Sequence, residues 1–361
     1  MRNRGEATIR SFHAVRARAP LRLGLAGGGT DLSPYCDEHG GAVLNGTIDR
    51  YAFAVIEPSP DGMVHFAAKD IEVEESLPAS LDGIAQAQLG LHAGVYCRMM
   101  REHGGGGIPP LRVTTFVDAP PGSGLGSSSA LVVALVEAFR HLLDVPLGMY
   151  DVAHLAFEIE RIDLGLPGGK QDQYAAAFGG VNFVEFFASD RVIVNPLRVP
   201  RAFLAEIESS LVTCFTGVSR RSEQIIRDQQ SGMGRSGDAL DSLHQLKADA
   251  VEMKQALLRG EVAHMAAVLN RSWQAKKRTA SGISTGLIET LEQAAMMHGA
   301  IGCKVSGAGG GGFMMFLVPP ERRVELVRAL TKAGAQATPV RFTTEGAEAW
   351  DVPGGGRAER R

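Results

Sequence analysis

Cysteine is scarce: Cys36, Cys97, Cys214 and Cys303 are the only four in 361 residues, and each stands far from the next. Such spacing excludes a disulfide framework and a cysteine-based metal site, and it fits a reducing compartment, read here as the cytoplasm. Long apolar runs are missing too, and none approaches the roughly 20 residues that span a bilayer. Neither sign of charge dominates. A formal net charge of −3 leaves no electrostatic footprint for nucleic acid or for an anionic membrane. The basic stretch MRNRGEATIRSFHAVRARAP lacks the apolar centre of a signal peptide, and its glutamate argues against a transit peptide. One more absence bears on function. The glycine- and serine-rich run PPGSGLGSSSA, Pro120 to Ala130, has no lysine beside its last glycine, as a common P-loop would.

What is present in surplus is glycine, 44 residues of it, and it is clustered. Clustered glycine marks places where backbone must come close to something. At this length, with 45% hydrophobic residues, the chain can build two cores. Strands are expected at Leu21 to Leu25, within Gly41 to Pro58, at Leu111 to Val117, and through VNFVEFF and VIVNPLRV. A helix follows the serine-rich run, with apolar residues from Ala130 to Leu142 at helical spacing, and another runs from Asp151 to about Ile162. Past Arg201 the texture changes. LVTCFTG, GCKVSG, FMMFLVP and QATPVRFTT read as strands, separated by a long helical region over about 238–278 that breaks near Gly260, and by helices over 284–298 and ERRVELVRALTKAG. The mixture lacks a strict βαβ rhythm, so the fold class is α+β. We place a domain boundary near Pro200, giving units 1–200 and 201–350, with 351–361 expected to be a disordered tail.

Four stretches carry chemistry. LRVTTFV, then PPGSGLGSSSA, then a helix would direct free N–H groups and the helix dipole at one point, which binds phosphate without a side-chain charge. Read structurally, the same run is a turn and a helix capped by Ser127. KVSGAGGGGFMMF has far more glycine than a hairpin turn needs, so its backbone should meet a ligand or another domain, or else form a long flexible loop. PLRLGLAGGGTD combines glycines with Arg22, Thr30 and Asp31, which suit phosphate or carboxylate and sugar hydroxyls, or equally a capped turn. In GGKQDQYAAAFGG, Asp172 could serve as a general base or merely cap a helix. Glu158, Glu160 and Asp163 are candidate metal ligands on a helix that could also be simply solvated.

The four stretches occur together in this order, and with them the sequence resembles the GHMP kinases. PPGSGLGSSSA is similar to the family's central ATP loop, KVSGAGGGG to its C-terminal glycine motif and PLRLGLAGGGTD to its substrate motif. Within the superfamily, GGKQDQYAAAFGGVNFVEF, TGVSRRS and RSWQAKKRTASGIS resemble the D-glycero-D-manno-heptose 7-phosphate kinases, although fucose-type kinases share the AGGGTD style of motif. The resemblance implies an N-terminal domain like ribosomal protein S5 domain 2, a ferredoxin-like C-terminal domain, and an active site in the cleft between them. It implies an ATP- and Mg²⁺-dependent kinase that phosphorylates C1 of the heptose 7-phosphate on the way to GDP-heptose for surface polysaccharide. A fucose, galactose or mevalonate acceptor, and a non-catalytic regulator, are the rivals.

The same resemblance supplies roles. ATP phosphates would lie along Gly122, Ser123, Gly124, Leu125, Gly126, Ser127 and Ser128, with Ser128 and Glu160 holding Mg²⁺. Asp172 would be the catalytic base and Arg22 would steady it or the nucleophile. Thr30 and Asp31 would hold sugar hydroxyls, with Gly307, Gly309 and Gly310 closing on the substrate. For the acceptor's phosphate, Arg220, Arg221, Lys170, Lys304 and the Lys276–Lys277–Arg278 run are available, and Arg220 with Lys170 is favoured. The expected partner is a small sugar phosphate, with a homodimer as one option for assembly.

Overall fold

The computed structural model describes residues 13–218, 222–232 and 237–352. The chain begins with β1 (Val15–Ala26), a short α1 (Tyr35–His39) and the long β2 (Gly41–Pro58). A hairpin of β3 (Met63–Ala68) and β4 (Val73–Pro78) leads into α2 (Leu81–Ile84), α3 (Gly90–His103) and β5 (Leu111–Val117). After the serine-rich loop come α4 (Ser127–Leu142) and α5 (Met149–Phe157), then a π-helical turn over Glu158–Asp163, α6 (Gln171–Phe178), β6 (Val181–Phe186) and β7 (Val192–Pro196). The second half starts with α7 (Arg201–Ser210), β8 (Leu211–Phe215) and α8 (Ser222–Gly232). Two long helices follow, α9 (Gly237–Arg259) and α10 (Val262–Lys277), then α11 (Gly286–Met297), β9 (Gly302–Val305) and β10 (Phe313–Leu317). The last elements are α12 (Arg323–Lys332), β11 (Gln336–Pro339) and β12 (Glu348–Asp351).

The first sheet runs β12-β1-β2-β5-β3-β4, and β6 and β7 branch from β2. β2 is long enough to serve two neighbours, pairing β6 over 41–46 and β5 over 52–58. Its burial follows that switch. The first eight residues are buried on both faces, and beyond Asp49 the strand alternates, with Ala52, Ala54 and Ile56 inward. α4 lies against β1 and β2, flanked by α3, α5 and α6. Its residues from Ser129 to Phe139 are buried apart from half-buried Leu131, the pattern of a helix enclosed on all sides. That placement fixes its N-terminus, and with it the glycine loop, at the C-terminal end of β5, an interior strand of the sheet.

The second sheet is antiparallel with order β11-β8-β10-β9. Numbered within this half, the order is 4-1-3-2, the ferredoxin-like arrangement. Its apolar core gathers Val212, Trp273, Leu291, Met314, Phe316 and Leu326. α9 belongs to both halves of the chain by sequence and packing: Ala250, Met253 and Leu257 enter the core of the first sheet.

Several elements depart from the sequence expectation. β1 starts at Val15 rather than Leu21, because Val15, Ala17 and Ala19 alternate inward between Arg16 and Arg18. The helix expected to about Ile162 is α-helical only to Phe157; Leu164 N then donates to Ile159 O across the wider π turn at 3.0 Å. β12 pairs with β1, placing Asp351 opposite Val15, so the expected tail begins inside a strand. Residues 353–361 of that tail lie outside the described residues.

Candidate active site

The glycine loop ends β5 and opens α4. Gly122, Gly124 and Gly126 all have φ between 69° and 77°, the left-handed region that strains a residue with a Cβ. Gly126 is the N-cap of α4, and no side chain caps the helix, so the alternative in which Ser127 is the cap does not hold. No side chain therefore claims the first amides of α4. Gly122, Gly124, Gly126, Ser127 and Ser128 line a cavity of about 560 Å³. Two members of the expected phosphate run do other work. Ser123 is fully buried, donating its N–H to Pro120 O at 3.2 Å and accepting from Phe313 N–H at 2.8 Å. Leu125 is a core side chain whose carbonyl accepts from Arg22 N–H at 3.0 Å.

Arg22, 4% exposed, leaves β1 and ties three motifs together. Its Nε and Nη2 lie 2.7 and 2.6 Å from Asp172 Oδ1, and Nη1 donates to Gly124 O at 2.6 Å and to Ser306 Oγ at 3.4 Å. Asp172 sits in the first turn of α6 and faces both the large cavity and a smaller one beside it. The π turn rotates Glu160 inward to full burial. Its carboxylate accepts from Ser128 Oγ at 2.8 Å, Ser129 Oγ at 2.7 Å and Gln173 Nε2 at 2.7 Å, with Arg161 Nη1 at 3.2 Å. Glu158 and Asp163 turn the other way and pair with Arg98 at 2.6 and 2.9 Å, so the site does not include them as metal ligands.

The smaller pocket, about 70 Å³, lies between the AGGGTD loop, the start of α6 and the second half of the chain. Asp31 is its acceptor wall, held by Gly29 N–H at 3.1 Å and by the N–H and Nε2 of Gln171 at 3.2 Å each. Gly169 makes that hold possible, since a Cβ there would meet Asp31 Oδ2 at 1.9 Å. Lys276 and Lys304 line the same pocket, and burial drives their pKa values down, to about 8 and about 7. The KVSGAGGGG glycines close the cleft by backbone contact. A Cβ on Gly307 would lie 2.8 Å from Gly124 Cα and O, and Gly307 borders both cavities. Gly309 and Gly310 instead pack on Ile283, where Gly310 N–H donates to Ile283 O at 2.8 Å.

Other expected site residues are placed elsewhere. Thr30 is fully buried, and its hydroxyl donates to Gly27 O or Ala42 O at 2.8 and 2.9 Å while accepting from Ala42 N–H, so it shapes the loop and borders neither cavity. Lys170 also borders neither; its Nζ pairs with Asp190 Oδ1 at 2.7 Å and lies near Asp37 at 3.9 Å. Arg220 and Arg221 lie outside the described residues.

Residues 91–180 match the family of GHMP kinases N terminal domains, and residues 253–336 match GHMP kinases C terminal. A curated protein of Campylobacter jejuni named D-glycero-alpha-D-manno-heptose 7-phosphate kinase is 41% identical over 94% of this chain and 99% of its own. The chain belongs to the GHMP kinases. Its structure is also similar to a crystal structure called a D-glycero-D-manno-heptose 1-phosphate kinase from Bacteroides thetaiotaomicron, with TM-score 0.79 and 42% identity, covering 94% of this chain and 99% of that one. A galactokinase of Lactococcus lactis has TM-score 0.73 at 17% identity, covering 94% and 95%, and so shares the fold.

In this GHMP kinase the sequence reading missed the far wall of the large cavity. Ala68, Ile71, Leu89, Val117 and Leu131 make it apolar, and Gln88, Asp70 and His92 add polar edges. His92 is buried, its pKa lowered to about 4 by desolvation, and its Nε2 lies 2.9 Å from Thr115 Oγ1. These residues come from four separate segments around β3, α3, β5 and α4, so no local pattern announces them. Arg161 was missed as well. It borders both cavities and braces Glu160, and only the π turn brings it there.

Proposed function

We propose that this sugar kinase transfers the γ-phosphoryl group of ATP to the anomeric C1 hydroxyl of D-glycero-D-manno-heptose 7-phosphate, in the making of GDP-heptose for bacterial surface polysaccharide. The observation that carries this reading is the Arg22–Asp172 pair bordering both cavities at once. One cavity has the size and the apolar wall for a nucleotide; the other has carboxylate and ammonium groups suited to a charged sugar. Relatives about 40% identical over nearly their whole length carry heptose phosphate kinase names.

ATP would lay its base against Ile71, Leu89 and Leu131 and its phosphates on the amides of Gly122 to Ser128 and the N-terminus of α4. That arrangement replaces the lysine of a P-loop. Asp172 Oδ2 takes the proton of the C1 hydroxyl as its oxygen bonds to the γ-phosphorus, and the bond to the β–γ bridging oxygen breaks to release ADP. An anomeric hydroxyl is more acidic than other sugar hydroxyls, so a carboxylate is an adequate base for it. Arg22 fixes the carboxylate's rotamer, and Asp31 orients the sugar.

Ser128 and Glu160 suit Mg²⁺: a hydroxyl and a carboxylate 2.8 Å apart give two hard oxygen ligands beside the phosphate loop. Among the described residues no cluster of three His, Cys, Asp or Glu side chains can hold a metal, which leaves the remaining positions to phosphate and water. When bound, the ion would neutralise charge on the phosphates. We further propose that the two halves act as lobes meeting near Pro200, with Gly307 against Gly124 as their seam. The test is Asp172→Asn. Turnover should fall by at least about a hundredfold while ATP binding by calorimetry persists; near-normal kcat would remove Asp172 from the role of base.

A further inference from the structure

Lys276 and Lys304 stand out in the smaller pocket because each is a buried ammonium with no carboxylate oxygen within 4.0 Å among the described residues, Asp31 acting on Lys276 only from farther off. They are 3% and 2% exposed. Lys276 Nζ, at the end of α10, donates to Gly28 O at 3.0 Å; Lys304 Nζ, on β9, donates to Gly24 O at 2.9 Å and to Val305 O at 3.3 Å. An ammonium has three protons, so each lysine retains at least one with no such acceptor. Both side chains reach from the second half of the chain to the carbonyls that end β1 and open the AGGGTD loop. The carbonyls therefore position two cations without neutralising them.

The charge balance of the pocket points the same way. Arg22, Arg161, Lys276 and Lys304 face only two carboxylates, Asp31 and Asp172. Arg22 is already committed to Asp172 and Arg161 to Glu160. Asp31 is satisfied by backbone and amide donors. Those donors are neutral, so the Asp31 charge offsets part of Lys276, and one buried positive charge, centred on Lys304, is left over; a buried charge is costly until an anion joins it.

We propose that Lys276 and Lys304 form an oxyanion clamp that binds the phosphate carried by the acceptor, the role the sequence had suggested for Arg220 and Lys170. This rests on the phosphorylated acceptor proposed above. The clamp makes the kinase selective for a sugar phosphate over a free sugar, because a neutral acceptor would leave the pocket's excess positive charge uncompensated. The one other source of a phosphate oxyanion at this place is the γ-phosphoryl group of the nucleotide, and the two sources separate by experiment.

Lys276→Met, Lys304→Met and the double variant keep side-chain length and remove charge. With the nucleotide site filled by a non-hydrolysable ATP analogue, inorganic phosphate should raise the Tm of the wild-type protein and lose that effect in the double variant. In steady-state assays, each single variant should raise the KM for heptose 7-phosphate at least about tenfold, with the KM for ATP within about twofold of wild type. The Tm of each variant with the analogue alone shows that it folds. Phosphate protection that survives in the double variant overturns the clamp. So does a rise in the ATP KM in place of the acceptor KM, which assigns the lysines to the nucleotide. If the wild type does not phosphorylate heptose 7-phosphate but its phosphate-induced Tm shift still depends on the two lysines, the clamp stands and the sugar assignment falls. Turnover of heptose 7-phosphate with an unchanged acceptor KM in both variants has the opposite meaning.

Discussion

Arg22 grips one oxygen of Asp172 and leaves the other open. Nε and Nη2 both address Oδ1, at 2.7 and 2.6 Å, while Oδ2 receives no hydrogen bond from a described side chain. The same guanidinium reaches Gly124 O and Ser306 Oγ, so one planar group aligns the base, the phosphate loop and the C-terminal glycine motif. A lysine at this place can keep the charge but not the fork. Arg22→Lys should therefore lower kcat by about ten- to a hundredfold, with a smaller change in either KM. Stopped-time ADP assays check this, and a variant that loses only substrate affinity would contradict it.

Gly307 is one of the places where the two halves of the chain touch closely. With φ at +76° and a Cβ that would sit 2.8 Å from the Gly124 backbone, alanine is strained and has no flexible side chain to push aside. Gly307→Ala should destabilise the protein by about 1–3 kcal/mol in urea denaturation and lower kcat/KM for ATP. Gly62 offers the comparison: its φ is +77° but nothing lies within 4 Å of a built Cβ. Gly62→Ala should leave turnover unchanged.

The placement of Thr30 and Lys170 separates shape from binding. Thr30→Val strands buried carbonyl and amide groups of the loop, a loss of about 1–3 kcal/mol measurable by urea denaturation. Lys170→Met should lower stability through the lost Asp190 pair, yet hold the acceptor KM within about twofold, because its ammonium faces neither cavity. A large acceptor KM effect from Lys170→Met would return that lysine to the site.

Lys304 also has a signature in stability. Burial lowers its pKa from 10.5 to about 7 in the folded protein. Between those values the unfolded chain binds the extra proton, so this group makes stability rise as pH rises from about 7 towards 10. Below the folded value the lysine is charged in both states and its contribution no longer changes. Lys304→Met should flatten that part of the pH profile and raise the Tm near neutral pH, measured by thermal unfolding across the range. Lys276 shifts in the same direction, to about 8, so some slope persists in the single variant.

Much of this site is legible in the sequence because its parts are local. A strand, three glycines and a serine-rich helix start are contiguous, and their geometry follows from φ and from helix ends. Arg22, Asp31 and Asp172 could be singled out beside their glycines, although nothing local showed that Gln171 would cradle Asp31. What the sequence hid depends on distance. The apolar wall from Ala68 to Leu131 is assembled across β3, α3 and α4, and β12 comes back to β1 from the far end of the chain. The placement of Lys170 was hidden for the same reason. Lys170 lies next to the motif in sequence but turns to Asp190, whereas Lys276 and Lys304 arrive from α10 and β9. Glu160 was singled out among its acidic neighbours by resemblance, and the π turn supplies the physical reason it points inward while Glu158 and Asp163 point out.

The most direct measurement is ADP release by the wild-type protein with ATP and Mg²⁺ against a panel of acceptors: D-glycero-D-manno-heptose 7-phosphate, the unphosphorylated heptose, fucose, galactose and mevalonate. The account predicts that kcat/KM for the heptose 7-phosphate exceeds every other by at least about a hundredfold, the discrimination expected when buried charges go unpaired with the wrong substrate. Comparable turnover of a neutral sugar or of mevalonate, or no turnover of the heptose phosphate, would contradict it.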